Sequence, residues 1–310
     1  MFLAVLVTVL LYACSEKEES LGPIINNPLP IGKKEIRVLA IGNSYTLDAT
    51  MYLQEILDNA GIDSKTYSIY LLYQGGSSLE FWSNRLRRSD SWELMQRAGE
   101  LPIERHTGTI AELLAQPWDI IVVQQLSKDA IYYDTFNPYL RHIIHTAKSL
   151  CPNKAMAFAW HEIHAYASFY DENEGMTCEE RWQAICNATN EMVRNDGINI
   201  VIPMGTAIEN ARHSTLQNET ELTRDGTHLA FGVARYIAAC AWVETLFAPV
   251  FDFSISNLTA THNLEEWEEF GIGVDAFIPG SSEAVTDDNR PLCLQCVNMA
   301  SLHPYSIVNP

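Results

Sequence analysis

The chain has 310 residues, 47% of them hydrophobic, which is enough apolar material for one large domain with extensions or two small domains. Its formal net charge is −19 at pH 7, and a field of that sign repels a phosphate backbone, so the composition argues against nucleic-acid binding. After the N-terminus no apolar run is long enough to cross a bilayer, and we expect the mature domain to be soluble by itself.

The first residues predict export. Residues 1–13 form an apolar stretch that is too short to span a bilayer but is typical of a signal peptide. The run Leu11-Tyr12-Ala13-Cys14 resembles a lipobox, which predicts that Cys14 is acylated and anchors the protein in the membrane. An acidic run and three prolines follow, so residues 14–34 are predicted to be a flexible tether. We expect an outer-membrane lipoprotein; whether it faces the periplasm or the cell surface stays open.

Apolar runs alternate with amphipathic stretches over residues 35–250. Strands are predicted over 36–42, 66–72, 120–125, 155–160 and 198–202. Helices are predicted over 48–59, 77–88, 110–114, 138–149, 178–194 and 228–246. This alternation predicts an α/β domain, a three-layer α/β/α sandwich with a five-stranded parallel, flavodoxin-like sheet.

The alternation stops near residue 250. Residues 251–310 are therefore predicted to be a C-terminal extension that packs on the domain, with helices over 263–270 and 287–300. Residues 89–107 interrupt the pattern earlier and are predicted to be an insertion that acts as a lid over the cleft.

Two short motifs resemble metal sites without meeting their requirements. Cys293-Leu-Gln-Cys296 has metal or redox spacing, but no second such pair lies nearby, so two packed thiols or a local disulfide are predicted. His161-Glu162-Ile163-His164 places its histidines three residues apart, whereas a zinc-binding helix needs four. We predict no metal. This segment is instead predicted to line the site, with Trp160 and His161 contacting the substrate.

Gly42-Asn43-Ser44 lies directly after the first predicted strand and before the first predicted helix. In a parallel α/β sheet ligands bind at the carboxyl ends of the strands, and the N-terminus of a following helix attracts developing negative charge. Ser44 is therefore a candidate nucleophile, although turns often contain the same residue types.

Asp225 and His228 lie three residues apart, in Asp-Gly-Thr-His. Both side chains can project from one loop, so that His228 takes the proton of a serine and Asp225 orients the imidazole. The alternative is that Asp225 caps a helix and His228 is a surface histidine.

Taken together, Gly-Asn-Ser after the first strand and Asp-x-x-His before the last helix resemble the SGNH/GDSL hydrolase superfamily. The resemblance runs from about Ile36 to Phe247 and is closest to a little-characterised exported bacterial subfamily. That subfamily has a glycine pair followed by Ser-Leu, a Gln-Gln pair that ends the third strand, and an Asp-Gly-x-His block. The resemblance implies the SGNH fold, a Ser44–His228–Asp225 triad and ester hydrolysis without a cofactor.

The resemblance also implies an oxyanion hole that includes the backbone N–H of Gly76. The superfamily usually adds an asparagine after the third strand, but this chain has Gln124 and Gln125 there. A glutamine amide offers the same donor. Strand alternation sends the two side chains to opposite sides, and we predict Gln125 as the donor because it is nearer the carboxyl end of the strand.

The main functional hypothesis is a serine esterase that removes short acyl groups, acetyl above all, from an acylated glycan. Aromatic residues near the site are of the kind that stacks on sugar rings, although core packing explains some of them equally well. The set consists of Tyr45, Tyr73, Phe81, Trp82 and Trp160. Two alternatives remain: a non-catalytic carbohydrate-binding lipoprotein, and a lipase or lysophospholipase of the same superfamily.

Overall fold

The computed structural model describes residues 21–100, 105–264 and 278–309. The strands are β1 (Ile36–Gly42), β2 (Tyr67–Tyr73), β3 (Ser91–Gly99), β4 (Arg105–Thr109), β5 (Ile120–Val123), β6 (Ala157–His161) and β7 (Ile200–Ile202). The first helices are α1 (Ser44–Ala49), α2 (Leu53–Asn59), α3 (Leu79–Arg87), α4 (Ile110–Leu114) and α5 (Tyr139–Leu150). The later ones are α6 (Cys178–Asp196), α7 (Met204–Arg212), α8 (Val233–Trp242), α9 (Ala248–Phe251) and α10 (Arg290–Leu302).

The sheet is mixed rather than purely parallel. Its seven strands have the order β4-β3-β2-β1-β5-β6-β7. Five neighbouring strands run parallel to one another, namely β2, β1, β5, β6 and β7. The other two are antiparallel to their neighbours, β3 to β2 and β4 to β3. The prediction of a five-stranded parallel sheet is therefore wrong in strand number and in direction, although the α/β class is right.

The extra strands come from the segment that was predicted to be a lid. Residues 89–107 contain β3 and most of β4, and β3 pairs with the edge of β2 from Ser68↔Gly99 to Leu72↔Leu94. An edge strand presents unpaired N–H and C=O groups, and a hairpin satisfies them. These residues therefore extend the sheet, and they do not form a lid.

Helices cover both faces of the sheet. Neighbouring residues of β1 alternate between two core clusters, with Val38 and Ala40 in one and Leu39 and Ile41 in the other. This alternation follows from the period of two in a strand. Helices α1, α2, α7, α8 and α10 contribute buried residues to the first cluster, and α3, α4 and α5 contribute to the second.

The helix predicted over residues 228–246 begins later than expected. Gly232 precedes it with φ +75°, α8 starts at Val233, and a π-helical turn over Val243–Phe247 connects it to α9. The stretch Val233–Phe251 is long and apolar enough to cross a membrane, but 83% of its most apolar window is buried inside the domain. It is therefore a core helix, and His228 lies in the loop before it.

The segment before β1 is packed on the domain where the structure describes it. Ile24 is 4% exposed, and its N–H donates to the carbonyl of Asp196 at 2.6 Å. The side chain of Asn26 bonds both the N–H and the C=O of Phe158, each at 2.8 Å. The prediction of a flexible tether is therefore wrong for this part of residues 14–34, because an apolar side chain and an amide bind it to the core.

The C-terminal residues join the same core. Asn210 of α7 donates to the carbonyl of Cys296 at 3.1 Å, and Thr206 donates to the carbonyl of Pro304 at 2.6 Å. Cys293 and Cys296 are buried free thiols, as are the other four cysteines of the described residues. The predicted helix over residues 263–270 lies mainly outside the described residues.

Candidate active site

Ser44 is the first residue of α1, at the carboxyl end of β1. The side chain of Asn43 caps this helix by accepting the N–H of Tyr45 at 3.0 Å, and its amide donates to the carbonyl of Ser77 at 2.9 Å. Asparagine is a favoured N-cap because its side-chain oxygen satisfies a free N–H of the first turn. Asn43 therefore binds the helix that begins at Ser44 to the turn that contains Gly76.

Asp225 and His228 lie in a tight loop. The backbone N–H of Arg224 donates to the carbonyl of His228, and the backbone N–H of Ala230 donates to the carbonyl of Leu222, both at 2.9 Å. Gly226 has φ +92°, a conformation that L side chains rarely adopt, and its Cα faces the side chain of Tyr170. The loop is therefore closed at its base and turns sharply between the aspartate and the histidine.

The structure brings the three side chains together. His228 Nε2 is 2.9 Å from Ser44 Oγ, and His228 Nδ1 is 2.7 Å from Asp225 Oδ2. Asp225 Oδ1 accepts the N–H groups of His228 and Thr227 at 2.7 and 2.9 Å. The His228 and Asp225 side chains are 28% and 32% exposed, so the cluster reaches the surface.

The electrostatics favour an ionised aspartate. Partial burial raises the pKa of Asp225, but hydrogen bonds from His228 and Thr227 and the electrostatic attraction of His228 outweigh it, so the pKa lies well below its usual value. Asp225 is therefore an anion that binds Nδ1 of His228, which leaves Nε2 facing the serine hydroxyl.

Gln124 lies in a buried network behind Ser44. Its Nε2 donates to Asn43 Oδ1 at 2.7 Å, and its Oε1 contacts the hydroxyl of Thr46 and Nδ1 of His161, the latter at 3.0 Å. The side chain is 3% exposed. Gln124 therefore connects β5 and β6 to the cap of α1.

Gln125 points to the other side of the sheet, as strand alternation predicts. Both N–H groups of its amide are used by Thr135, whose carbonyl and hydroxyl oxygens accept at 3.0 Å each. Its Oε1 accepts the N–H groups of Leu79 and Leu126 at 3.0 and 2.9 Å. Because both amide N–H groups of Gln125 are already bonded to Thr135, the structure argues against the prediction that Gln125 donates to the oxyanion.

Gly76 lies in the exposed turn between β2 and α3, with φ +66°. The turn is bound to the end of β1, because Gln74 N–H and the Ser77 hydroxyl both donate to the carbonyl of Gly42, at 3.3 and 3.1 Å. Gly76 is thereby held at the same sheet edge as Ser44.

His164 is a residue of the site that the sequence reasoning missed. It is 1% exposed, its ring stacks on Tyr45 with 4.3 Å between centroids, and its Nε2 donates to the carbonyl of Thr227 at 2.7 Å. Burial and the nearby Arg212 lower its pKa to about 3, so it is neutral. The signal for it in the sequence is the His-Glu-Ile-His segment, in which only the first histidine is predicted to contact substrate.

The residues predicted to contact substrate from this segment are buried. Trp160 is 2% exposed and bonds Thr189, and His161 is 1% exposed against Gln124. Their predicted contact with substrate is therefore wrong. Within the described residues no group of three His, Cys, Asp or Glu side chains is arranged to hold a metal ion.

Most of the aromatic residues proposed for sugar stacking lie in the core. Tyr45, Trp82 and Trp160 are 2–3% exposed, since they pack between the sheet and its helices. Phe169 is an exposed aromatic side chain, 48% exposed, and it lies two residues after Ala167, whose N–H donates to the carbonyl of Gly226 at 2.8 Å.

One family model and one solved structure of that family match most of this chain. A family model described as "Domain of unknown function (DUF4886)" matches residues 37–257. The crystal structure of a DUF4886 family protein from Bacteroides uniformis has a TM-score of 0.73 at 25% identity, covering 89% of this chain and 98% of that one. No curated protein has a significant sequence match to this chain.

More distant structures are named as hydrolases. A GDSL-like lipase from Bacteroides thetaiotaomicron has a TM-score of 0.39 at 14% identity, with coverage of 68% of this chain and 86% of that one. A mutant of an acetyl-xylooligosaccharide esterase from Geobacillus stearothermophilus has a TM-score of 0.45 at 13% identity, with coverage of 70% of this chain and 96% of that one.

Proposed function

This chain belongs to the DUF4886 family, and we propose that it is a serine esterase of the SGNH/GDSL type. The observation that carries the proposal is the continuous contact from Ser44 Oγ to His228 Nε2 at 2.9 Å and from His228 Nδ1 to Asp225 Oδ2 at 2.7 Å. A nucleophile bound to a base, with the base bound to an orienting carboxylate, is the arrangement that activates serine.

In the acylation step Ser44 Oγ attacks the ester carbonyl carbon while His228 Nε2 takes the hydroxyl proton. The imidazolium is stabilised by the Asp225 carboxylate and returns the proton to the leaving alcohol as the C–O bond breaks. In deacylation His228 removes a proton from water, the resulting nucleophile attacks the acyl carbon, and Ser44 regains its proton. The acyl group leaves as a carboxylic acid, and the chemistry requires no cofactor.

We assign the oxyanion hole to the backbone N–H groups of Ser44 and Gly76. Gly76 has no Cβ, which allows the oxygen of a tetrahedral intermediate to approach its backbone. Asn43 and Gln124 hold this geometry from behind through their mutual hydrogen bond of 2.7 Å. In this proposal Gln125 supports the fold and not the oxyanion.

The substrate that fits best is a short acyl ester, acetyl above all, on a carbohydrate. Residues 74–78, in the turn that is bound to the cap of α1, and the Asp225–His228 loop that contacts Ser44 are polar or small, whereas a lipase needs a continuous apolar wall for its acyl chain. Phe169, which is exposed and belongs to the segment that contacts the Asp225–His228 loop, is available to stack on a sugar ring.

The test of the function is covalent labelling followed by a substrate series. A fluorophosphonate should label the wild-type protein and leave Ser44→Ala unlabelled. On p-nitrophenyl esters from acetate to decanoate, kcat/KM should be greatest for acetate, and acetate should be released from acetylated polysaccharides. Each buried methylene contributes up to about 0.8 kcal/mol, so a rise along the series would favour a lipase. Absence of labelling would favour a carbohydrate-binding protein without catalysis.

A further inference from the structure

A buried ion pair connects the helix of Ser44 to the loop of Asp225 and His228. Asp48 lies on α1, four residues after Ser44, and is 1% exposed. Its Oδ2 accepts a guanidinium N–H of Arg224 at 2.9 Å and the backbone N–H of Leu229 at 3.1 Å. One carboxylate oxygen therefore binds residues on both sides of the Asp225–His228 turn.

Arg224 also binds residues at the other end of the same turn. The guanidinium nitrogen that binds Asp48 also donates to the carbonyl of Leu229 at 2.6 Å, and the Arg224 N–H donates to the carbonyl of His228 at 2.9 Å. The arginine side chain is 6% exposed and that of its aspartate partner 2% exposed. A pair buried this well cannot separate without leaving an uncompensated charge in the interior, so it holds the two elements firmly.

We propose that Asp48 and Arg224 are positioning residues, which set the distance between Ser44 Oγ and His228 Nε2. The inference rests on the esterase function proposed above. Ser44 and His228 are 184 positions apart in the sequence, so no local backbone geometry fixes their separation. A displacement of about 1 Å between reacting groups can reduce a rate about a hundred-fold, so a rigid connection close to both groups serves catalysis directly.

The chain offers a matched control for this pair. Arg235 binds the other oxygen of Asp48 at 2.6 Å, and its side chain is 3% exposed. It belongs to α8, which bears no residue of the proposed triad, and its guanidinium lies over the ring of Phe231 at 4.0 Å. Loss of Arg235 removes an ion pair of similar burial but leaves the contacts from Arg224 and Leu229 to Asp48 in place.

The experiment compares Arg224→Met with Arg235→Met in the full chain. We expect both variants to unfold at lower temperature than the wild type, by similar amounts. Arg224→Met should lower kcat on p-nitrophenyl acetate and the rate constant of fluorophosphonate labelling by about a hundred-fold each, with KM changed only a few-fold. Arg235→Met should keep both rates within a few-fold of the wild type.

Equal losses in the two variants, or no loss in either, would overturn the inference, because the cluster would then serve stability alone. If Arg224→Met does not fold, Arg224→Lys replaces it, since a lysine keeps the charge but not the planar guanidinium. We expect a smaller loss of the same kind from that variant. A wild-type protein that is not labelled at all would refute the esterase function, whereas labelled wild type with equal variant rates would refute only the positioning role.

Discussion

At the scale of single residues, the site depends on two local conformations. Asn43 caps α1 through a bond of 3.0 Å to the Tyr45 N–H, which sets the first turn and hence the direction of the Ser44 side chain. Gly226 adopts a φ of +92°, and this turn allows the Asp225 carboxylate to accept the N–H groups of Thr227 and His228. Both conformations follow from residue types that can be recognised in the sequence.

The proposed triad predicts non-additive losses. Ser44→Ala and His228→Ala should each lower kcat by roughly three to six orders of magnitude, because each removes a member of one proton-transfer unit. The double variant should be little worse than either single one, and Asp225→Asn should be damaging but milder. Steady-state kinetics on p-nitrophenyl acetate measure this, and additive losses from Ser44 and His228 would contradict the shared role.

The contacts of the two glutamines predict opposite outcomes. Gln125→Ala leaves the buried N–H of Leu79 without its acceptor, so it should destabilise the fold by about 1–3 kcal/mol while the folded enzyme keeps kcat within a few-fold. Gln124→Ala removes the bond to Asn43 and should lower kcat about ten-fold through displacement of the nucleophile. Denaturant unfolding and kcat of both variants test this; a larger kinetic loss at Gln125 would restore it as the oxyanion donor.

At the scale of elements, a buried carboxyl group connects the end of β6 to α7. Glu162 directly follows β6 and is 0% exposed; its Oε1 accepts the N–H of Thr206 at 2.9 Å and lies 2.9 Å from the Thr206 hydroxyl oxygen. Burial raises its pKa to about 8, against the opposing effect of the bonds from Thr206 and Cys186. Glu162 is therefore protonated in the folded protein near neutral pH.

This raised pKa predicts a pH-dependent stability. The unfolded chain loses the Glu162 proton near its ordinary pKa, whereas the folded protein keeps it to about pH 8. The contribution of Glu162 to stability is fully present below the pKa that this group has in the unfolded chain. It is lost as the pH rises from that value through the pKa that the group has in the folded protein. In Glu162→Gln a neutral amide of the same shape replaces the protonated carboxyl group and does not titrate. The Tm of this variant should therefore fall less than that of the wild type between about pH 5 and 8.

Glu112→Gln is the matched control. Glu112 is exposed at the N-terminal cap of α4, and hydrogen bonds from the backbone and hydroxyl of Thr109 lower its pKa. Its replacement removes one carboxyl group that stays ionised across the same range, so the variant should keep the wild-type slope of Tm against pH. An unchanged slope in Glu162→Gln would show that this group is ionised in the folded state.

At the scale of the whole molecule, we propose that acylated Cys14 anchors the protein in a membrane. The run Leu11-Tyr12-Ala13-Cys14 motivates this and lies outside the described residues. Cys14→Ser should move the protein from the membrane fraction to the soluble fraction, because the acyl chains supply the membrane affinity. Cys151→Ser is a suitable control, since that thiol is buried in the domain. Equal fractionation of wild type and Cys14→Ser would refute the anchor.

The sequence by itself determined the α/β class, the parallel strands and the three candidate triad residues. Buried strands such as 120–123 are continuous apolar runs, and Ser44, Asp225 and His228 lie in short motifs whose residue types suit strand ends and turns. These features depend on neighbours within a few residues, and such local preferences can be recognised in one sequence.

Only the tertiary structure decided which long-range contacts those residues make. The sequence of β3 and β4 predicts a lid, because no local feature shows that an edge of β2 is available to pair with them. Gln124 and Gln125 are adjacent and chemically identical, yet one binds Asn43 and the other Thr135. His164 and Asp48 contact the Asp225–His228 loop from distant parts of the chain, because hydrogen bonds and buried charges select their partners in space and not by sequence spacing.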